Sequence, residues 1–483
     1  MNELSPLALP EVERMTALLT RQRQAFLAEL PVSLSVRRDR LDRAIRCVLE
    51  YRDRFVKALS DDFGHRSTEQ SLLTDIMASV KPLKHARAHV ARWMRPERRT
   101  VDFPLNLLGA RAEVQYQPKG VVGLISPWNF PVNLTFAPLA GILAAGNRAL
   151  VKPSEYTPAT SEVLKEAIGR FFDETEVAVL LGGPEVGRAF AELPFDHLIF
   201  TGATAIGRQV MAAAARHLVP VTLELGGKSP VIVSRSADVG QATQRIALGK
   251  LMNAGQICLA PDYLLVPAER EEAIVDGLKV ATARMYPRML DNDDYTSVIS
   301  RRHRDRLEAL LDDARAKGAE IVEVNPAGED FSRQNTNKMP LQIIRRPTDE
   351  MRVMQEEIFG PILPVKTYAT IDEAIDYVNA HDRPLGLYWF GTDPAEERRV
   401  LERTVSGGVT VNDVLFHVSV EDLPFGGIGP SGMGRYHGVD GFREFSHAKS
   451  VYRQPKFDVA GLAGFRPPYG PRTRQTLERE LKA

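Results

Sequence analysis

The sequence has very little cysteine, no excess of charge of one sign and no long hydrophobic run. Its 483 residues include only Cys47 and Cys258, so at most one intramolecular disulfide could form. Sixty-two basic and sixty-two acidic side chains give a formal net charge of zero, whereas a dedicated nucleic-acid-binding protein would carry a basic excess. The most apolar stretch, residues 136–146, is too short to span a bilayer. A small molecule is therefore a better expected partner than a nucleic acid or a membrane.

The length and composition predict a globular protein with a sizeable core. At roughly 150 residues per domain, the chain should form about three folding units or two large ones. Hydrophobic residues make up 44% of the sequence and charged residues 26%, which is ordinary for a soluble protein. Because the N-terminal residues lack a basic flank followed by an apolar core, no export signal is predicted and a reducing, cytoplasmic location is expected.

From residue 121 onward, short apolar runs alternate with segments of helical periodicity. Val121–Ile125 is the first apolar run, and the helix-like run 136–145 follows it, closed by Gly146 as a helix C-cap. The same alternation recurs as far as residue 411. Such repetition predicts an α/β protein in which helices cover parallel sheets. Residues 101–117 partly alternate apolar and polar side chains, which predicts an extended hairpin outside the core.

Cys258 lies in the loop-like segment 253–263, between a helical run and an apolar strand. A thiolate there could attack a carbonyl carbon, and Gly255 would let a substrate or cofactor approach the backbone closely. A lone free cysteine, however, is more often a small buried hydrophobe. Taken alone, Cys258 leaves both a nucleophilic role and a packing role open.

Two further polar residues follow apolar strands. Glu224 ends one strand just before a glycine turn, where a carboxylate is costly to bury unless it is used or paired. It could remove a proton from water, or it could form a salt bridge or cap a helix. Asn129 lies between two prolines, and its amide could donate a hydrogen bond to an oxyanion. Asparagine is also common in turns, so each residue is ambiguous by itself.

A glycine-containing turn suggests a phosphate site. An apolar strand runs into residues 201–207 and then a helix, and Gly202 and Gly207 remove side chains from the turn and the first helical residues. The spacing is not the usual dinucleotide fingerprint, so the turn is weak support by itself. Another strand ends near Lys152 and Glu155, which could bind ribose hydroxyls or simply form a surface salt bridge.

Six segments, in their order and spacing between about residues 121 and 451, resemble motifs of the aldehyde dehydrogenase superfamily. They are 128–131 (oxyanion), 152–155 (ribose), 200–207 (phosphate turn), 223–228 (general base), 255–258 (nucleophile) and 356–361 (nicotinamide ribose). The resemblance implies an α/β, aldehyde dehydrogenase-like fold with two Rossmann-type parallel-sheet domains and a small β element for bridging and oligomerisation. Six concurrent motifs favour functional over structural roles for Cys258, Glu224 and Asn129.

The resemblance also implies a covalent oxidation. The Cys258 thiolate would add to an aldehyde, while Asn129 and the Cys258 backbone N–H would hold the oxyanion. Glu224 would activate the water that hydrolyses the thioester, and a carboxylate at this position favours hydrolysis over transfer to coenzyme A. The implied cofactor-binding residues are Lys152, Glu155, Gly202, Thr204, Gly207, Glu357 and Phe359. No metal ligand is assigned.

Finer features resemble the class three branch, which oxidises aromatic and medium-to-long-chain aldehydes. They lie in segments 204–205, 260–263 and 424–438. The closing segment 467–470 and the overall length resemble bacterial members of this branch that act on coniferyl aldehyde. The carboxylate of Glu155 would bind free ribose hydroxyls and repel a 2′-phosphate, so NAD is the expected cofactor, with NADP as the alternative.

The implied architecture divides the chain into three parts. Residues 1–97 and 119–225 would form a dinucleotide-binding domain, and residues 226–411 a catalytic domain. Residues 98–118 and 412–483 would supply the bridging and oligomerisation element and a C-terminal segment. Because the strand edges of such an element would stay unpaired in a monomer, a homodimer is expected, with a tetramer as the alternative.

Two rival functions remain open from the residues. One is a cysteine-dependent thioester hydrolase that uses Cys258 and Glu224 without redox chemistry. The other is a non-catalytic NAD-binding protein that keeps the fold.

Outside the motifs, Cys47 lies on an amphipathic helix and is expected to pack in the core. His437, beside a glycine, is expected to make a structural hydrogen bond rather than act in catalysis.

Overall fold

The computed structural model describes residues 9–103 and 105–482, so residues 1–8 at the start of the predicted 1–97 segment lie outside the described residues. The strands are β1 (Glu97–Arg99), β2 (Arg111–Pro118), β3 (Val121–Ile125), β4 (Arg148–Lys152), β5 (Val177–Val179), β6 (His197–Thr201), β7 (Val221–Glu224), β8 (Pro230–Val233), β9 (Tyr263–Pro267), β10 (Glu320–Val324), β11 (Leu341–Arg345), β12 (Ile362–Tyr368), β13 (Gly386–Phe390), β14 (Gly408–Val411), β15 (Gly432–Met433) and β16 (Ser446–Arg453).

Helices cover these strands. They are α1 (Leu9–Glu29), α2 (Leu34–Glu50), α3 (Arg52–Phe63), α4 (Thr68–Ser71), α5 (Ala78–Trp93), α6 (Asn133–Ala145), α7 (Pro158–Phe171), α8 (Pro184–Ala191), α9 (Thr204–Ala215), α10 (Val239–Leu251), α11 (Glu271–Met285), α12 (Arg301–Ala316), α13 (Arg352–Gln355), α14 (Ile371–Asn379), α15 (Pro394–Arg403), α16 (Gly438–Glu444), α17 (Val459–Leu462) and α18 (Pro471–Glu480). Between α4 and α5, Leu72–Met77 forms a π-helical segment. In the described ranges, no helix combines the length and hydrophobicity needed to cross a membrane.

The first half of the chain builds a six-stranded sheet with the order β15-β7-β6-β3-β4-β5. All neighbouring strands are parallel except β15, which runs antiparallel to β7. The side chains of β4 and β6 are buried throughout, as expected when helices cover both faces of a parallel sheet. The chain leaves β3 first through β4 and later on the opposite side through β6. The reversal creates a switch point, and ligands of such sheets bind near it at the carboxyl ends of the strands.

A second, seven-stranded sheet has the order β10-β11-β12-β9-β8-β13-β14, parallel except for the pairing of β10 with β11. Separate apolar clusters fill its two faces. Strands β12, β9 and β8 are neighbours at its centre. The loops that enter these three strands therefore lie side by side, although they come from distant parts of the sequence.

A small antiparallel sheet, with the order β1-β2-β16, lies apart from the two large ones. The predicted hairpin over 101–117 is wrong in its first strand. The strand that pairs with β2 is the earlier β1, while residues 101–103 and 105–110 contain turns in which Phe103 and Leu107 are exposed. Gly109, with φ of +92°, helps to return the chain into β2. Apolar residues exposed in turns alternate with polar ones in the sequence, and this pattern led to the incorrect prediction of a strand.

The predicted α/β fold with two parallel-sheet units and a small β element is confirmed. The predicted domain boundaries stay a prediction. One strand does not follow the predicted division into domains. β15 lies within the segment 412–483, yet it pairs with β7 of the six-stranded sheet. In that pairing Gly432 lies opposite Glu224, so the C-terminal part of the chain reaches the end of the strand that carries the predicted general base.

Candidate active site

The carboxyl ends of four adjacent strands supply one side of the site. β3 leads into the segment with Asn129, β4 ends at Lys152, β6 leads to Gly202 and β7 ends at Glu224. The sheet places Ile125 opposite Lys152, and it pairs the last residue of β6 with Glu224. The parallel register thus brings these motifs to one edge, at the switch point where ligands of such sheets bind.

The second sheet supplies the other side through the loops that enter its central strands. Cys258 precedes β9, Glu357 precedes β12 and Gly226 precedes β8. Residues from both sheets line a single cavity of about 1700 Å³. The predicted residues in its lining are Asn129, Lys152, Glu155, Gly202, Thr204, Glu224, Cys258, Glu357 and Phe359. Nine residues predicted from the six motifs therefore share one cavity.

Gly207 is the predicted cofactor residue outside this lining. It is buried in α9, and a Cβ at this position would lie 2.6 Å from a methyl carbon of Leu225. The glycine therefore allows α9 to pack closely on the end of β7. Its contribution to a phosphate turn is indirect, because it fixes the position of the helix whose first residues face the cavity.

The loop that carries Cys258 has an unusual backbone. Asn253 and Ala254 both have φ of +51°, and Gly255 has φ of +74°. A Cβ on Gly255 would lie 2.5 Å from the carbonyl oxygen of Gly360, so a larger residue would not fit there. Two consecutive non-glycine residues in the left-handed region are strained and persist only where surrounding contacts hold them.

Amide side chains provide those contacts. Asn253 Nδ2 donates hydrogen bonds to the carbonyl oxygens of Asn129 and Gln256, both at 3.2 Å. Gln256 Nε2 donates to the carbonyls of Asn253 and Ser297, while its Oε1 accepts from the Ile299 N–H at 2.9 Å. Asn253 and Gln256 therefore tie the nucleophile loop to the oxyanion segment and to the neighbouring chain.

Asn129 is buried and its amide points toward the nucleophile loop. Its Nδ2 donates to the Gln256 carbonyl at 3.2 Å. Gln256 lies two residues before Cys258, so the predicted oxyanion donor and the predicted nucleophile are held by one short stretch of backbone. The amide still has a second N–H, which can serve an oxygen in the cavity that Asn129 helps to line.

The Cys258 side chain is partly exposed to the cavity. Burial, followed by the nearby Glu357 and Glu224 carboxylates, raises the pKa of its thiol to about 12. The negative neighbours oppose formation of a thiolate. A positively charged group in the cavity would reverse that effect, because an opposite charge nearby favours the ionised form.

Glu224 is only 2% exposed, and neither oxygen of its carboxylate has a hydrogen-bond partner. Burial, with a smaller contribution from Glu444, raises its pKa well above the ordinary value. A buried carboxylate without partners is costly, and such groups are concentrated at functional sites. The raised pKa makes the ionised form of Glu224 a stronger base than an ordinary glutamate, as removal of a proton from water requires.

Lys228 and Asp262 hold the backbone on either side of Glu357, a role that the sequence did not predict for them. Lys228 donates to Asp262 and to the carbonyl of Glu356, while Asp262 accepts from the Ile358 N–H at 2.9 Å. The Glu357 Oε1 atom is buried without a partner, and burial raises the pKa of this carboxyl to about 8. Lys228 belonged to the predicted general-base motif, but nothing in the sequence indicated that its side chain reaches this segment.

An aromatic wall lies beside Glu357. Phe359 contacts Trp128 edge to face, with ring centroids 5.3 Å apart, and Trp128 makes a similar contact with His303 at 5.0 Å. Phe359 has φ of +52°, a conformation rare for a bulky residue. With this backbone conformation the Phe359 ring lines the cavity, where it could pack against a flat ligand.

The cavity suits a nicotinamide dinucleotide. Residues 202–206 all line it, and the N-terminus of α9 has no side-chain cap. The Thr204 and Ala205 N–H groups have no hydrogen-bond partner in the described part of the chain and can bind a phosphate. Lys152 is buried, and its Nζ lies 3.5 Å from the Glu155 carboxylate, a pair placed to bind ribose hydroxyls. Gly226 lacks a Cβ that would overlap the Glu357 carboxylate, and Glu357 offers an unpaired oxygen. The donors and acceptors present fit the dinucleotide.

A model of the aldehyde dehydrogenase family matches residues 10–451. The chain belongs to this family. It is 60% identical to a probable coniferyl aldehyde dehydrogenase of Caulobacter vibrioides over 97% of each chain. It is 55% identical to a coniferyl aldehyde dehydrogenase of a Pseudomonas species, over 95% of this chain and 94% of that one. The prediction of an aldehyde dehydrogenase is thereby confirmed.

A solved structure of the same family supports the fold. The substrate-bound AldH of Staphylococcus aureus superposes with a TM-score of 0.89 at 35% sequence identity, covering 96% of this chain and 99% of that one. The arrangement of the aldehyde dehydrogenase sheets in this chain is therefore shared by a relative of similar length.

Two residues outside the motifs can now be placed. Cys47 is fully buried in the core of the N-terminal helices, so its predicted packing role agrees with its position. His437 was expected to make a structural hydrogen bond, but its ring makes none to the described residues, and Nδ1 is buried without a partner. The ring instead stacks on Phe425, with centroids 5.1 Å apart, and meets Tyr436 edge to face. Burial lowers the His437 pKa to about 3, so this neutral ring serves in packing.

Proposed function

We propose that this aldehyde dehydrogenase oxidises its substrate to the carboxylic acid with NAD, through a thiohemiacetal and then a thioester on Cys258. The main support is that Cys258 and the partnerless, buried carboxylate of Glu224 line the same cavity as Lys152 and Glu357. A nucleophile, a base and cofactor-binding residues are the minimum set for such an oxidation. A site with only a nucleophile and a base could hydrolyse a thioester but could not oxidise an aldehyde.

Each protein group has a defined task in this reaction. The Cys258 sulfur attacks the aldehyde carbon, while the Asn129 amide and the Cys258 backbone N–H donate to the oxygen that becomes negative. Glu357 and Lys152 hold the ribose groups of the cofactor. The bound nicotinamide supplies the acceptor for the hydride. Glu224 then removes a proton from water, which attacks the thioester and releases the acid.

The substrate class is inferred from relatives and from the site. The two relatives described above carry coniferyl aldehyde in their names and cover almost the whole chain. We therefore propose coniferyl aldehyde, or a similar aromatic aldehyde, as the substrate. NAD is the proposed cofactor because the Glu155 carboxylate lines the cavity next to Lys152, where a 2′-phosphate would be repelled.

The first prediction concerns substrate choice. Purified protein should reduce NAD only when an aldehyde is added, and kcat/KM should be about tenfold or more higher for coniferyl aldehyde than for linear aliphatic aldehydes, about 1.4 kcal/mol of transition-state discrimination. Cinnamyl, benzyl and aliphatic aldehydes would be compared by the absorbance of reduced nicotinamide. Equal kcat/KM across the panel would contradict the aromatic assignment. Thioester hydrolysis without any reduction of NAD would favour the non-redox hydrolase.

The second prediction concerns assembly. Strand β16 is an edge of the small sheet, and most of its residues are exposed, so a row of backbone N–H and C=O groups remains unpaired in the single chain. We propose that a second copy covers this edge and that the protein is a homodimer located in the cytoplasm. Light scattering at micromolar concentration should give twice the monomer mass of 53.7 kDa. A monomeric mass would contradict this proposal.

A further inference from the structure

A short N-terminal segment that belongs to none of the six motifs contacts both catalytic loops. It comprises α4 and the π-helical segment Leu72–Met77 that follows it. Ser67 caps its start by accepting a hydrogen bond from the Gln70 N–H at 3.2 Å. One end of the segment faces the loop of Cys258, and the other end faces the loop of Asn129. Its two polar anchors are Gln70 and Asp75.

Gln70 binds the nucleophile loop through both atoms of its amide. Its Oε1 accepts from the Asn253 N–H at 2.8 Å, and its Nε2 donates to Asn253 Oδ1 at 3.3 Å. Asn253 is the first of the consecutive residues with positive φ. The same Asn253 side chain donates onward to the carbonyl of Asn129. Gln70 therefore fixes the orientation of the amide that joins the two catalytic loops.

Asp75 binds the oxyanion loop from the other end of the segment. Its Oδ1 accepts from the Val132 and Asn133 N–H groups at 3.1 and 3.2 Å, and its Oδ2 accepts from Arg66 at 2.7 Å. Arg66 and Asp75 are both fully buried. The Arg66 guanidinium also lies over the ring of Phe130, 5.1 Å from its centroid. Arg66 and Asp75 together therefore contact Phe130, Val132 and Asn133, within four residues after Asn129.

We propose that Gln70 and Asp75 are positioning residues that hold the Cys258 loop and the Asn129 loop in register for attack on the aldehyde. The inference rests on the proposed function. Neither residue lines the cavity, so neither touches substrate or cofactor. Their effect reaches the reacting atoms through Asn253 on one side and through the start of α6 on the other. A misplacement of about 1 Å in such a site can cost on the order of 10²-fold in rate.

Gln70 offers the cleaner test, because it is neutral and only partly buried, whereas removing Asp75 would strand the buried charge of Arg66. Gln70→Met keeps the length of the side chain and removes both hydrogen bonds. Asn325→Leu is the matched control. Its amide also makes two hydrogen bonds to a single residue, Glu329, both at 2.9 Å, and a longer one to the Glu323 carboxylate at 3.3 Å, in a loop away from the cavity.

The Gln70→Met variant should lose about tenfold in kcat for the aldehyde while its dissociation constant for NAD stays within twofold of the wild-type value. Iodoacetamide should also alkylate Cys258 at a rate that differs from that of the wild type by threefold or more, because the thiol has lost its fixed orientation. Asn325→Leu should match the wild type in both measurements. Thermal unfolding would be recorded for each variant.

Two results would overturn the inference. One is a folded Gln70→Met variant with wild-type kcat and a wild-type alkylation rate. The other is a loss of kcat in Gln70→Met that is equalled by Asn325→Leu, since that would indicate a general effect on stability. The alkylation rate needs no turnover, so it tests the positioning role even if wild-type protein fails to oxidise aldehydes, a failure that would count against the proposed function alone.

Discussion

Cys258→Ala should lower the rate of aldehyde oxidation by on the order of 10⁴-fold or more. The sulfur forms the covalent bond to the substrate in both halves of the proposed reaction, and none of the other residues proposed to act on the aldehyde can take its place. Only one other cysteine occurs in the sequence, and Cys47 is fully buried in the core of the N-terminal helices. A covalent role for sulfur therefore depends on one position.

Cys47→Ala provides the matched control for this substitution. This substitution makes the same chemical change, loss of a thiol, at a site that is fully buried and outside the cavity. It should therefore reduce the melting temperature but leave kcat close to the wild-type value. NAD should still bind to Cys258→Ala with a similar dissociation constant, because Lys152, Glu155 and Glu357 remain. Turnover of Cys258→Ala within tenfold of the wild type would remove this residue from the role of nucleophile.

The residues proposed to react could be identified from the sequence because their chemistry is unusual for their local setting. Glu224 ends an apolar strand and Cys258 lies in a glycine-containing loop, so the sequence alone marks each as a candidate. Their order and spacing matched a family pattern, which gave the fold as well. Strand ends in a parallel sheet meet at one edge, and this rule was sufficient to bring Lys152, Glu224 and the turn after β6 together.

The supporting contacts could not be predicted, because they join residues that are far apart in the sequence. Gln70 and Asn253 are separated by 183 positions, and Lys228 and Glu356 by 128. Neither pair has a local signal, since glutamine and lysine are ordinary surface residues. Positive φ values at non-glycine residues such as Asn253 are likewise imposed by these distant contacts. The close packing of Gly207 on Leu225 could not be predicted for the same reason.

Burial of Glu224 ties catalysis to stability. The raised pKa means that the folded state holds a proton on this carboxyl at pH values where the unfolded chain has released it. Folding stability is therefore lost as the pH rises through the range between the two pKa values, and it is not lost below the ordinary pKa of a glutamate. This loss of folding stability arises at Glu224, the residue whose basicity the proposed hydrolysis step needs.

Glu224→Gln should separate the two halves of the reaction. The amide has the shape of the carboxyl group but cannot accept a proton from water, so the thioester should form and then hydrolyse slowly. Rapid mixing with NAD and aldehyde should show one equivalent of reduced cofactor per active site, followed by a steady-state rate at least about 10²-fold below that of the wild type. Added hydroxylamine, which attacks thioesters without a base, should restore part of the turnover.

Glu224→Gln should lower the activity of the enzyme but raise its folding stability relative to the wild type at higher pH. Because glutamine has no proton to lose, the melting temperature of Glu224→Gln relative to the wild type should rise as the pH increases above the ordinary pKa of a glutamate. Surface-exposed Glu162→Gln, on α7, is the control and should show no such trend. A wild-type steady-state rate would exclude Glu224 as the general base, and a melting-temperature difference independent of pH would show that its carboxyl is not destabilised by burial.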